Sequence, residues 1–242
     1  MALSRMRTGG QYQTAGYPSP IKDNQLIAET LKGIKNVHGA AQSQKAPIIT
    51  EDLRLMLRVI PSRLIGIRDR ALLLVGFAGA FRRSELVALD FEDVRFTTEG
   101  LLLTIRRSKT DQVGEGRQVA IPQGRHEETC VVRAPRAWLE ASGITTGALF
   151  RPINRHGHIA PARLTPHAVA LIVKRYAGAI GLERQSFSGH SLRAGFVTSA
   201  ARAGEPECRI MRTTGHRSIE MVLRYVRNAN AFTDNAGLAL GL

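Results

Sequence analysis

Cysteine is scarce in this chain of 242 residues: Cys130 and Cys208 are the only two. They lie far apart, form no Cys-x-x-Cys unit and cannot staple a secreted scaffold of this size, which points to a reducing compartment and a cytoplasmic protein. Long apolar runs are also lacking. The longest near-apolar stretch, 71–81, is far shorter than the roughly 20 residues a membrane helix needs, and the first ten residues contain no signal-peptide core. No Gly-Lys-Ser/Thr exists to finish a phosphate-cradling loop, so a P-loop ATPase is excluded. His126-Glu127-Glu128-Thr129-Cys130 opens like a helical zinc motif but carries Cys where the second His is needed. Gly189-His190-Ser191-Leu192-Arg193 begins like a nucleophile elbow and lacks its closing glycine. His156-Gly157-His158 reads as an exposed loop, and Asp90, Glu92 and Asp93 as a surface turn rather than a magnesium site. A metal-dependent nuclease has little to stand on, and neither metal nor organic cofactor is expected.

Acidic residues are outnumbered. Asp and Glu total 20 against 34 Lys and Arg, a formal net charge of +14. The excess is uneven: residues 51–130 are almost balanced, with 13 basic and 12 acidic groups, whereas 131–242 carry 15 and 6. A field of one sign gathered in part of a chain favours a polyanionic partner. No segment pairs a basic face with a strong Trp, Phe or Leu face, so nucleic acid is favoured over a membrane surface. Hydrophobic residues at 43% and charged residues at 22% are ordinary for a globular chain.

The pattern predicts a mainly helical α+β domain with one small antiparallel sheet. Residues 1–20 read as a flexible lead-in, Asp23 to Lys35 as a short amphipathic helix through Leu26, Ile27, Leu31 and Ile34, and His38 to Pro47 as a linker. Residues 1–48 thus form an N-terminal extension and 49–242 the main domain. Thr50, followed by Glu51 and Asp52, predicts an N-cap. Further helices are expected over 68–80, 84–88, 166–180, 188–202, 206–212 and 218–226. The β-rich runs 101–105 and 118–121, separated by the polar stretch 108–116, predict a hairpin.

Three segments concentrate chemistry. In Phe81-Arg82-Arg83-Ser84-Glu85-Leu86, an arginine pair sits at a helix start, where the dipole disfavours cations, and Glu85 is spaced to orient Arg82. In Ser188-Gly189-His190-Ser191-Leu192-Arg193, helical spacing puts an imidazole and a guanidinium fork on one face, and such a fork binds phosphate oxygens in pairs. In the third, Gly215-His216-Arg217-Ser218 precedes Tyr225, which lies between Arg224 and nearby Arg227. That basic setting is expected to favour the phenolate over an unperturbed pKa near 10.

In this order and spacing the segments resemble the tyrosine recombinase (phage integrase) family from about Thr50 to Val226. The resemblance implies an integrase-like catalytic domain with Arg82, Lys109 in Arg107-Ser108-Lys109-Thr110, His190, Arg193, His216 and the nucleophile Tyr225 as catalytic residues, and Glu85 as a supporting acid. Arg83 falls at a variable position, a surface or DNA-backbone residue. The implied activity is site-specific recombination of double-stranded DNA through a 3′-phosphotyrosyl link, needing neither metal nor ATP. The implied assembly is a homo-oligomer, a tetramer, on DNA, with the segment after Tyr225 often packing on a neighbouring subunit. Relatives usually carry a separate helical DNA-clamping domain ahead of the catalytic one, of which residues 1–48 resemble a remnant. Two alternatives remain open on the residues: a non-catalytic DNA-binding relative, and a type IB topoisomerase-like enzyme.

Overall fold

The computed structural model describes residues 25–38, 45–106, 116–216 and 218–229, together with 237 and 240. The lead-in 1–20, the hairpin turn around Lys109 and most of the tail after Ala229 lie outside the described residues. Contacts divide the chain into two units, 1–44 and 45–242. The first contributes one described helix, α1 (Gln25–His38), which runs past the predicted end at Lys35. Ile27 and Leu31 are half-buried on it, whereas Leu26 and Ile34 are exposed.

The second unit runs α2 (Thr50–Arg58), α3 (Leu64–Ala78), α4 (Arg83–Ala88), β1 (Val94–Phe96), β2 (Gly100–Ile105), β3 (Arg117–Pro122), α5 (Arg133–Ser142), α6 (Pro166–Ala179), α7 (Ser191–Arg202), α8 (Glu207–Thr214) and α9 (Ile219–Ala229). It is mostly helical with one three-stranded antiparallel sheet in the order β1-β2-β3. Helix α3 is its spine. Ala71, Leu72, Leu73, Leu74 and Val75 are all buried, so this stretch is apolar around its whole circumference, as a helix segment enclosed by others must be. It packs against α5 and α7. Full burial of each leucine contributes about 2 kcal/mol.

Inside this apolar spine sit Arg68 and Asp69, both buried. Arg68 donates to Asp69 Oδ1 at 3.0 and 2.5 Å and to the Arg151 carbonyl at 3.2 Å, while Tyr176 donates to Asp69 Oδ2 at 2.8 Å. Burial and then the Asp69 charge push the Tyr176 phenol up to about 12. This is a strut between α3 and α6: every buried charge has a partner, the condition under which burying one is tolerable.

Thr165 caps α6, its Oγ1 accepting from the Ala168 N–H at 3.2 Å. Thr50 does not cap α2. It is the first helical residue; Ile49 takes the extended N-cap conformation, and Asp52 Oδ2 accepts the Ile49 N–H at 3.2 Å. The Thr50 N–H is instead claimed by Ser199 Oγ at 3.1 Å, because the chain before α2 is laced onto α7. The Ile48 N–H reaches the Ser191 carbonyl at 3.0 Å, and a Cβ on Gly195 would lie 1.7 Å from the Ile48 oxygen. Gly195 is thus glycine for lack of room.

The sequence pattern missed β1 and α5. Three residues are too few to show a period, and Pro135 argues against a helix unless it falls in the first turn, where it does lie. A small second core, with Val197, Ala201, Ile210 and Val222 buried, joins α7, α8 and α9 and includes the half-buried Tyr225. The nucleophile candidate is therefore carried by a helix docked through a few side chains.

Candidate active site

The turn after α3 sets the first arginine. Ala80 takes a left-handed conformation (φ 48°), which costs a residue with a Cβ about 1–3 kcal/mol. The adjacent Phe81 is buried and acts as a plug. Arg82 follows as the extended N-cap of α4, one residue before the helix proper. Glu85 reaches back to it: the Arg82 N–H donates to Oε2 at 3.0 Å and Nη1 donates to Oε1 at 2.6 Å. This carboxylate offsets the cost of a cation at a helix start.

Arg193, on the first turn of α7, is 1% exposed. Its Nη1 donates to the Ala80 carbonyl at 2.7 Å and to the Thr214 carbonyl at 2.6 Å. One nitrogen thus ties the strained turn before α4 to the end of α8. Burial and then the Arg82 charge lower Arg193 to about 10, so it remains a cation at neutral pH. Its Nη2 is buried with no hydrogen-bond partner among the described residues.

His190 occupies the N-cap of α7, and its Nε2 lies 3.1 Å from the Tyr225 hydroxyl on α9. Partial burial, then the charges of Arg193, Arg82 and Arg83, lower this imidazole below its ordinary value. His216 follows Gly215, whose left-handed φ of 66° ends α8. Thr214 Oγ1 lies 2.8 Å from His216 Nδ1, and burial, then Arg193, Arg82, His190 and Arg117, push the ring down to about 4. Both rings are neutral at pH 7.

The expectation for Tyr225 is corrected. Burial raises its pKa, outweighing the opposing pull of Arg193 and Arg224. Neighbours in sequence were a poor guide because Arg224 and Arg227 both project to solvent. The resting hydroxyl is a phenol.

Arg82, Glu85, His190, Arg193, His216 and Tyr225 are thus gathered in one place, while Lys109 lies outside the described residues. Arg83 is exposed, its stem packed over Gly189 beside His190. Sequence reasoning missed Arg117, whose Nη2 lies 3.6 Å from Glu85 Oε2 and whose guanidinium sits 6.0 Å over the Phe81 ring. The signal was present: along β3 it alternates in step with the buried Val119 and Ile121. Arg82 and Arg117 both face the buried Glu85 carboxylate and Arg193 feels its charge, an arrangement with surplus positive charge that an anion completes.

Other candidates fall away from the site. Asp90 and Asp93 are held by Arg163 at 2.6 Å and Arg106 at 2.7 Å, and the His156–His158 loop is exposed. Among the described residues, no three or more His, Cys, Asp or Glu group so as to hold a metal, and no helix is long and apolar enough to cross a membrane.

Residues 48–231 match the model of the phage integrase family. An integrase/recombinase xerD homolog of Selenomonas ruminantium is 44% identical over 223 residues, covering 92% of this chain and 65% of that protein. Recombinase cre of Escherichia phage P1 is 25% identical over 241 residues, covering 92% of this chain and 68% of that protein. Among solved structures, XerA recombinase is similar with a TM-score of 0.59 at 16% identity, over 93% of this chain and 89% of that one, a likeness of fold. This chain spans 65% of the length of the xerD homolog and 50% of a tyrosine recombinase XerC of Syntrophus aciditrophicus. With the family model matched over most of its length and the arginines, histidines and tyrosine gathered at one point, the chain belongs to the phage integrase family of tyrosine recombinases.

Proposed function

We propose that this chain is a site-specific DNA recombinase that cleaves and rejoins strands through a covalent tyrosine link. The observation that carries the reading is the buried Nη2 of Arg193, unpartnered among the described residues, beside the His190–Tyr225 contact of 3.1 Å. A desolvated N–H of a cation is costly unless an anion takes it, and a phosphodiester oxygen is such an anion.

The chemistry follows from the groups. Tyr225 Oη attacks phosphorus while its proton passes to His190 Nε2, which is neutral and able to accept it. The bond from phosphorus to the 5′ oxygen breaks, leaving a 3′-phosphotyrosyl ester and a 5′-hydroxyl. Arg193 and Arg82 clamp the non-bridging oxygens as charge builds on them. Thr214 Oγ1, 2.8 Å from His216 Nδ1, fixes the ring, and His216 Nε2 hydrogen-bonds a phosphoryl oxygen. Lys109, by the family resemblance, protonates the departing 5′ oxygen. One ester replaces another, so no ATP is consumed, and attack by a second strand's 5′-hydroxyl reverses the step.

Recombining two duplexes exchanges four strands with one tyrosine each, which calls for a tetramer on double-stranded DNA in the cytoplasm. Residues 49–242 carry the catalytic unit and 1–48 an extension. The test is covalent trapping on a pool of nicked duplexes of randomised sequence, with adducts resolved under denaturing conditions. Wild type is expected to yield adducts, and Tyr225→Phe none while still binding DNA. Equal yields would remove Tyr225 as nucleophile; binding without any adduct would favour a non-catalytic DNA-binding protein.

A further inference from the structure

Arg117 has no task in the mechanism above, yet it meets Glu85, Thr213 and Gly215 in the site's scaffold. It leaves the first position of β3, opposite Ile105, on the inward face of the sheet. Its Nη1 donates to the Thr213 carbonyl at 3.0 Å, at the end of α8. Its Nη2 faces Glu85 Oε2 at 3.6 Å and is buried with no hydrogen-bond partner among the described residues. Its Nε and Cζ lie 3.2 and 3.3 Å from where a Cβ on Gly215 would stand. Gly215 is therefore doubly constrained, by its left-handed backbone and by the guanidinium lying against it.

These contacts join two bodies that hold the proposed phosphate clamp. One is Glu85, which orients Arg82. The other is the turn 213–216, whose Thr214 carbonyl anchors Arg193 and which presents His216. Arg193 Nη1 is one bond between that turn and the chain before α4; Arg117 is the second, and it runs from the sheet.

We propose that Arg117 is a positioning residue that fixes the Arg82–Glu85 pair and the Thr213–His216 turn against each other, so that both sides of the clamp meet one phosphate. This rests on the reading of the site as a DNA-cleaving centre. Reaching a carboxylate and a carbonyl on different elements takes a planar fork, and a lysine nitrogen cannot serve both.

The test compares single-turnover adduct formation on the nicked randomised pool by wild type, Arg117→Gln, Arg117→Lys, Glu85→Gln and the Arg117→Gln/Glu85→Gln double variant. Arg117→Gln and Arg117→Lys are each expected to slow adduct formation at saturating DNA about 10²-fold, the order that ångström-scale misplacement costs. In the Glu85→Gln background, Arg117→Gln should cost far less than alone, because both changes cut the same connection. An Arg117→Gln rate equal to wild type, or an identical cost in both backgrounds, overturns the proposal. Arg117→Lys carries the comparison if the glutamine variant does not fold.

A second readout needs no cleavage. His216, faced by Arg193, Arg82, His190 and Arg117 and bonded to Thr214, is followed by NMR titration in DNA-free protein. Arg117→Gln should move its midpoint up from about 4, toward the ordinary imidazole value. An unmoved midpoint removes Arg117 from the turn. Wild type that forms no adduct while His216 responds as expected would refute the DNA-cleaving reading and leave the placement of Arg117 standing.

Discussion

Replacing Glu85 with glutamine probes the centre of the charge arrangement. The Glu85 side chain is 1% exposed and serves the Arg82 backbone, the Arg82 guanidinium and Arg117. Glutamine keeps the shape but removes the charge, and in either amide orientation it turns a donor toward a donor. Removing one partner of a buried ion pair costs about 3–5 kcal/mol. The Arg82 side chain is 22% exposed, so water recovers part of this and the lower figure of about 3 kcal/mol applies. For a unit of this size each kcal/mol moves the melting temperature by about 2–4 °C, giving a fall of roughly 6–12 °C. The assay is thermal unfolding with and without saturating duplex DNA. A phosphate entering the clamp worsens nothing in wild type, but in the variant it supplies the missing negative charge, so DNA should raise the variant's melting temperature more than the wild type's. A melting temperature within about 2 °C of wild type would show that the carboxylate is not what holds these guanidinium groups together.

Two further perturbations test other parts of the structure. His216 titrates at about 4 folded against about 6.5 unfolded, so the unfolded state binds more protons and stability falls as pH drops from about 6.5 to about 4. The loss is on the order of 3 kcal/mol for this buried ring; urea midpoints at pH 7 and pH 4 for wild type and His216→Gln should differ by less in the variant, and equal differences would contradict the assignment. Gly195→Ala forces a methyl against the Ile48 carbonyl and should free the 45–49 segment from α7, read as faster amide exchange at Ile48; unchanged exchange there would refute the contact.

The legible part of the fold was the part written in local periodicity. Runs such as 71–75 announce an enclosed helix, and 101–105 with 118–121 announce paired strands. Boundaries moved wherever a partner distant in sequence claimed a backbone group, as Ser199 does for Thr50. Helix α5 escaped because its Pro135 is acceptable only at a first-turn position that the sequence does not mark.

In the site, residue types and their order were legible because phosphate chemistry demands guanidinium forks, an imidazole and a nucleophile, and these stand in short recognisable segments. Their protonation was not. Tyr225 sits among arginines in sequence, yet its phenol is raised, since desolvation depends on the packing of α9 against α7 and α8 rather than on flanking charges. Arg117 shows the same division: its inward position follows from the two-residue period of a strand, a property of the chain alone. That it spans Glu85 and Thr213, and leaves Gly215 no room for a side chain, was decided only when the sheet closed against α4 and α8, because electrostatic and steric contacts depend on distance in space and not on separation along the chain.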